Sequence, residues 1–267
     1  MVKACIQAGK HYLDITGEIE VFEWVKSQDA KAKEKNIVLM SGVGFDVVPT
    51  DCMSNYLHRQ LPDATHLQLA FTSLGGSISH GTVTTLLENL GKPGAVRINH
   101  KITPQPLGKS GMLVDFGRRK VFCMTIPWGD VSTAHHTTNI PNIEAYTGVP
   151  KQAYYFMKFQ ALTNPILKTS FVKNQLQKYV DKNIYGPTPE QNEKGLSMVW
   201  GKVTNAQGKT VEGRLETPEG YKLTAEAAIV ITQKILNGDN HPGGYHTPAG
   251  LFGYELLNDI EGCKLFS

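Results

Sequence analysis

Two stretches of the chain share one build, and together they constrain the kind of sheet it can form. They are H-Y-L-D-I-T-G-E at His11 to Glu18 and I-V-L-M-S-G-V-G-F-D-V-V-P-T-D at Ile37 to Asp51. Each opens as a short apolar run suited to a strand buried on both faces. Each then breaks into glycine and a carboxylate and leads into a helix-like stretch. Strand, turn and helix repeated in that order imply right-handed crossovers and parallel strands. Ligands of a parallel α/β sheet bind beyond the carboxyl ends of its strands. Asp14, Glu18 and Asp46 should therefore face one crevice, and a ligand-handling site is expected there.

The rest of the chain changes character. Ile19 to Lys35 has apolar residues at helical spacing (Ile19, Phe22, Val25, Ala30), and Pro49 to Gln60 opens with Pro49, Thr50 and Asp51, a usual first turn. From about residue 65 the pattern becomes that of a meandering sheet. His66 to Thr72 alternates as a half-exposed strand does, and Lys109 to Pro127 holds glycine-punctuated strand runs. Met198 to Arg214 reads as a hairpin turning at N-A-Q-G-K. Short helices are expected at Thr82 to Leu90, Thr224 to Leu236 and Pro248 to Ile260. The expected fold class is α/β: the remnant of a parallel sheet over residues 1–64, then a mixed-sheet α+β domain over 65–246. A C-terminal helix within 247–267 is expected to return to the first domain.

Val2, Ala4, Cys5 and Ile6, closed by Gly9, read as the end of a helix that leads into the first strand with no strand before it. One reading is a chain that begins in mid-domain, having lost half a crossover; the other is a helix that simply caps the sheet.

Composition excludes several classes. A net charge of +3 with no long Lys/Arg block gives no reason to expect nucleic acid, and four widely spaced cysteines suit reduced thiols of a cytoplasmic protein. No apolar run approaches the ~20 residues of a membrane span. Lys151 to Lys182 stands apart: Tyr154, Tyr155, Phe156, Phe159, Leu162, Ile166, Leu167 and Phe171 are interleaved with Lys158, Lys168, Lys173 and Lys178. It reads either as helices packed on the core or on a second copy in a homodimer, or as a basic amphipathic segment making peripheral membrane contact.

G-V-G-F-D-V at Gly42 to Val47 begins like a G-x-G-x-x-G fingerprint, but Val47 replaces the third glycine. The plain alternative is a tight strand-to-helix turn, with Asp14 and Glu18 as ordinary carboxylates near helix N-termini. Asp46, delivered by a buried strand, needs a hydrogen bond or a wet cleft, and so is a candidate catalytic residue. S-I-S-H-G-T at Ser77 to Thr82 offers His80 as a general acid. His135 and His136, as neighbours on an extended strand, would face opposite ways, so no zinc site is expected.

A-C-I-Q-A-G-K-H-Y-L-D-I-T-G-E, followed by G-F-D-x-x-P-x-D at Gly44 to Asp51, resembles the saccharopine dehydrogenase-like oxidoreductases, including their trans-acting enoyl reductase branch. Ser79 to Thr82 and P-W-G-D at Pro127 to Asp130 extend the likeness. The resemblance implies a Rossmann-like dinucleotide-binding domain over 1–64, a mixed-sheet substrate domain, and reduction dependent on NADP or NAD in the intact protein. Members of the family carry a glycine-rich loop ahead of the segment that begins here, so a truncated form lacking that half is expected. Cofactor contacts then fall to Asp14, Thr16, Gly17, Glu18, Gly44 and Phe45, with Asp46 or His80 moving the proton to or from a small or lipid-like substrate. The alternative function is a non-catalytic ligand- or lipid-binding protein working through 151–182, in the cytoplasm or at a membrane.

Overall fold

The computed structural model describes residues 1–75, 83–84, 93–158, 169–186, 188–238 and 241–266. The chain opens with α1 (Val2–Ala8), which ends where Gly9 takes a left-handed φ of 63°. It leads into β1 (Tyr12–Asp14), and β2 (Val38–Ser41) lies parallel to β1 with Asp14 opposite Ser41. The sheet gains a third parallel strand, β11 (Gly244–Tyr245), from the far end of the chain.

β2 is buried at every residue, and its alternation separates two cores. Leu39 packs with Val2, Ile6, Val25, Ala32 and Tyr245, while Val38 and Met40 join the larger core on the other face. The helix expected over 19–35 is two: α2 (Ile19–Lys26) and α3 (Asp29–Glu34). Ser27 stands at the break, where its hydroxyl donates to the Trp24 carbonyl at 2.6 Å, a local bond that competes with the helical ladder.

α4 (Val48–Gln60) leaves the carboxyl end of β2 and lies across a second, larger sheet. That sheet runs β12-β10-β9-β3-β8-β4-β5, with the hairpin of β6 and β7 attached to β8, nine strands among the described residues. Their ranges are β3 (Ala64–Leu74), β4 (Gly94–Ile98), β5 (Lys101–Gln105), β6 (Gly111–Asp115), β7 (Lys120–Ile126), β8 (Asn142–Gly148), β9 (Leu196–Asn205), β10 (Thr210–Pro218) and β12 (Lys264–Phe266). Only β3 and β8 run parallel, so the sheet is mixed. A small parallel Rossmann-like sheet followed by a mixed α+β sheet is thus the architecture, as the sequence pattern implies.

Two local devices fix the larger sheet. At the β9–β10 turn the Asn205 side chain accepts from Gln207 N at 3.1 Å and Lys209 N at 2.9 Å, and Gly208 supplies a φ of 82°. In the same hairpin Gly201 pairs with Gly213, leaving a bare patch that Met53, Tyr56 and Leu57 of α4 fill.

α5 (Asp130–Thr138) packs beside α4, and α9 (Gly220–Asn237) buries Leu223, Ala227, Ile231 and Ile235 at successive turns. His135 and His136 therefore sit on a helix rather than the expected strand, and the turn before them, Val131, Ser132, Thr133 and Ala134, is buried all round. The helix expected over 248–260 stops early. α10 (Pro248–Phe252) ends at Gly253, whose φ is 73°, and a 3-10 turn over Tyr254–Asp259 carries the chain to β12 on the edge of β10. The helix expected over 82–90 lies, but for residues 83–84, outside the described residues. The 151–182 segment gives α6 (Lys151–Lys158) and α7 (Ser170–Asn183). α8 (Pro189–Lys194) then precedes β9 under a capping box formed by Thr188 and Gln191.

A Cβ at Gly201 would lie 2.6 Å from both Leu57 Cδ1 and Met53 Cγ. Gly201→Ala should therefore destabilise the protein by about 1–3 kcal/mol through overpacking. Urea denaturation measures it; an unchanged midpoint would mean that α4 can ride higher on the sheet.

Candidate functional site

The carboxyl ends of β1, β2 and β11 lie at one edge of the parallel sheet, and the turns leaving them meet there. Asp14 braces the first turn. Its carboxylate accepts from Thr16 N at 2.9 Å, Ser41 Oγ at 3.0 Å and Gly42 N at 3.3 Å, so it ties the two strand ends together. Thr16 Oγ1 accepts from Glu18 N at 3.3 Å, and Glu18, itself exposed, precedes α2. Ile15 between them is 58% exposed, leaving this loop an open rim.

The second turn is closely packed from behind. Gly42 has a φ of 80°, and a Cβ there would meet Val47 at 2.5 Å. Gly44 is covered by Thr224 of α9, where a Cβ would come within 2.8 Å of the side chain. Thr224 Oγ1 also accepts from Phe45 N at 3.0 Å. The Phe45 ring stands edge-on to Phe71 at 5.9 Å, and Phe71 meets Trp128 at 4.9 Å. These three rings form an apolar wall contributed by both sheets.

Asp46 lies between the turns. Its Oδ2 occupies the space beside Gly17, 2.6 Å from where a Cβ would stand, and Trp128 Nε1 donates to its backbone carbonyl at 3.0 Å. Burial raises its carboxyl to about 6. Asp14, Thr16, Gly17, Glu18, Gly44, Phe45 and Asp46 are thus brought together, while His80 lies outside the described residues.

Two further carboxyls, not singled out as site residues in the sequence, sit beneath this edge. Asp51 is fully buried in the first turn of α4; it accepts from Thr137 Oγ1 and from Ala249 N at 2.8 Å. Thr137 in turn meets Thr247 Oγ1 at 2.6 Å, at the carboxyl end of β11. Burial raises Asp51 to about 6 despite these bonds. Asp130, at the start of α5, is also fully buried, and neither of its oxygens has a hydrogen-bond partner among the described residues. Burial, reinforced by the neighbouring Asp51 and Asp46 charges, raises it to about 8. The nearby Thr50 hydroxyl already donates to the Val47 carbonyl at 3.0 Å.

The crowded α4 N-terminus has a chemical consequence. A phosphate approaching the Gly42–Asp46 amides would meet Val47, Thr224 and a cluster of carboxyls, so this turn does not fit a pyrophosphate. The Ile15–Glu18 rim is left open beside Asp46.

No family model matches the chain. It is 24% identical to the Caenorhabditis elegans "Lipid droplet localized protein" over 97% of this chain and 73% of that protein. It is 29% identical to the mouse "Saccharopine dehydrogenase-like oxidoreductase" over 36% of this chain, a match spanning 24% of the mouse protein. Among solved structures, the apo saccharopine dehydrogenase (L-Glu forming) of Saccharomyces cerevisiae superposes with a TM-score of 0.56 at 9% identity. The fold is therefore similar to that of the yeast saccharopine dehydrogenase. That superposition covers 100% of this chain and 82% of the yeast chain, which corrects the expectation of a truncated form lacking the glycine-rich half of its first domain. No strand precedes α1 among the described residues, and the sheet draws its third strand, β11, from the far end of the chain to pair with β2.

The Asp130 environment predicts a pH dependence of stability. A carboxyl raised from 3.8 to about 8 on folding binds its proton more tightly in the folded state. Its contribution is fully present below the unfolded pKa and lost as pH rises through about 8. Asp130→Asn, which mimics the neutral acid, should leave stability unchanged at acid pH and raise it by roughly 1–3 kcal/mol at alkaline pH. Thermal melts across that range check this; equal destabilisation at every pH would show an ionised, bonded Asp130.

Proposed function

We propose that the chain acts in an NAD(P)-dependent oxidoreductase that reduces a hydrophobic, lipid-like small molecule, with Asp46 as the proton donor. The observation that carries this reading is the Asp46 carboxyl. It is held beside Gly17 at the carboxyl edge of the parallel sheet and shifted by burial to about 6. An acid in that range holds its proton yet can give it up near neutrality. The fold supports the reaction class, and the aromatic wall of Phe45, Phe71 and Trp128 supports an apolar substrate. The name of the nematode relative agrees with a lipid-like one.

In this reading Thr16, Gly17 and Glu18, with Gly44 and Phe45 opposite, border the nicotinamide ring. The dinucleotide, when bound, supplies the hydride. Asp14 holds the rim in register through its bonds to Thr16 N and Ser41 Oγ. Trp128 fixes the Asp46 backbone and shields its carboxyl from water, and Asp46 protonates the atom that gains negative charge. Asp51 and Asp130 do not touch substrate; they position α4, and burial alone keeps Asp46 reluctant to ionise. His80 is the other candidate for the proton.

Turnover with NADPH or NADH should fall as pH rises through about 6, because the donor must be protonated. Asp46→Asn should lower kcat by ~10²–10⁴-fold and remove that limb, with folding nearly intact. A panel of hydrophobic enones and ketones, followed by loss of NADPH absorbance, provides the assay. A limb that survives in Asp46→Asn and vanishes in His80→Gln would move the proton donor to His80. Absence of dinucleotide binding by fluorescence titration would overturn the oxidoreductase reading.

A further inference from the structure

We propose that the outward face of α7 is a docking surface for anionic phospholipid, lying in the plane of the headgroups. This inference does not rest on the oxidoreductase reading. α7 is pinned by one side only: Val180 is buried, Val172 and Leu176 are half-buried, and Gln177 Nε2 donates to Thr84 Oγ1 at 3.1 Å. Thr169 caps its start by accepting from Val172 N at 3.4 Å. Phe171, Gln175, Lys178 and Lys182 fall at i, i+4, i+7 and i+11, one stripe of the helix turned the other way, with Tyr179 beside it. Phe171 is 72% exposed and Tyr179 64%. Tyr185, just past the helix, is 87% exposed, and its hydroxyl donates to the Lys182 carbonyl at 2.7 Å, which holds the ring at the end of the same face.

Large aromatic rings so exposed are costly in water and suited to the boundary between headgroups and acyl chains. Neither Lys178 nor Lys182 has an acidic partner among the described residues, so both charges are available to lipid phosphates. The pairing of exposed rings with unpartnered lysines on one stripe matches an anionic lipid surface in both its apolar and its charged part. The helix is too short and polar to cross a bilayer, and none of the described helices meets the length and apolarity needed.

Co-sedimentation of the full chain with vesicles tests the proposal, using phosphatidylcholine mixed with phosphatidylserine against phosphatidylcholine alone. The wild type should pellet with the anionic vesicles at low ionic strength and be released by salt. Lys178→Glu/Lys182→Glu should weaken binding by roughly tenfold or more. Phe171→Ser/Tyr179→Ser should also weaken it, with melting points of both variants unchanged because the four side chains face solvent. Failure of the wild type to pellet at low salt, or equal binding by both variants, would overturn the inference. So would a wild-type dimer in sedimentation velocity that Phe171→Ser/Tyr179→Ser converts to monomer without vesicle binding at any stage, since the occupant would then be a second copy.

Discussion

The arrangement of the two sheets depends on one close approach, the body of α4 seated on the Gly201–Gly213 pair. A helix normally stands off a sheet by the depth of two side-chain layers. Here two facing glycines remove one layer, and Met53 and Leu57 fill the space down to the backbone of β9 and β10. The N-terminus of the same helix is fixed at the carboxyl end of β2 by the Gly42–Val47 turn. α4 is therefore a rigid arm between the parallel sheet and the mixed one, and its depth sets how far Phe71 of β3 stands from Phe45 and Asp46. A second clasp resists twisting about that arm. The buried Arg97 of β4 donates to the Val131 carbonyl at 2.5 Å and meets Glu23 of α2 at 3.3 Å, and Ser132 of α5 donates to the same Glu23 oxygen at 2.6 Å.

Holding the sheets this way concentrates carboxyls at one end of α4. A helix N-terminus favours negative charge, but it cannot stabilise Asp46, Asp51 and Asp130 all ionised in a dry setting. Asp51 has the best case for charge, with a threonine hydroxyl and a backbone amide donating to it. Asp130 has the worst, with no partner for either oxygen among the described residues, and burial raises it furthest, to about 8. Asp46, partly exposed at the crevice, is raised by burial to about 6, as Asp51 is.

Much of this was legible in the sequence because it rests on short-range rules. The two strand–glycine–carboxylate stretches imply a shared sheet edge, and Asp14 and Ser41 do meet there. N-A-Q-G-K implies the hairpin turn that Asn205 and Gly208 form. What was not legible depends on residues far apart in the chain. β11 has only two residues, too few for a period, and its strand character comes from pairing with β2. Asp130 stands in the sequence only as the last residue of P-W-G-D, and it is burial in the fold that makes it unusual. His135 and His136 were expected on a strand, whereas the structure has them on α5, a helix packed against α4.

The glycines carry the same lesson into function. In the sequence, Gly42 and Gly44 suggest the approach of a phosphate to bare backbone. In the structure, Val47 and Thr224 occupy those spaces, so the glycines bring protein close to protein. Their effect on a ligand is indirect. Because Gly44 lets α9 press on the turn, Phe45 is driven toward Phe71, and because Gly17 lacks a Cβ, Asp46 can lie against the rim of the first turn. A side chain at Gly17 would displace the carboxyl itself, whereas one at Gly44 would displace the wall that faces it. The crevice is thus shaped by two omissions of a methyl group, one on each side of Asp46, and its apolar character follows from the rings those omissions admit.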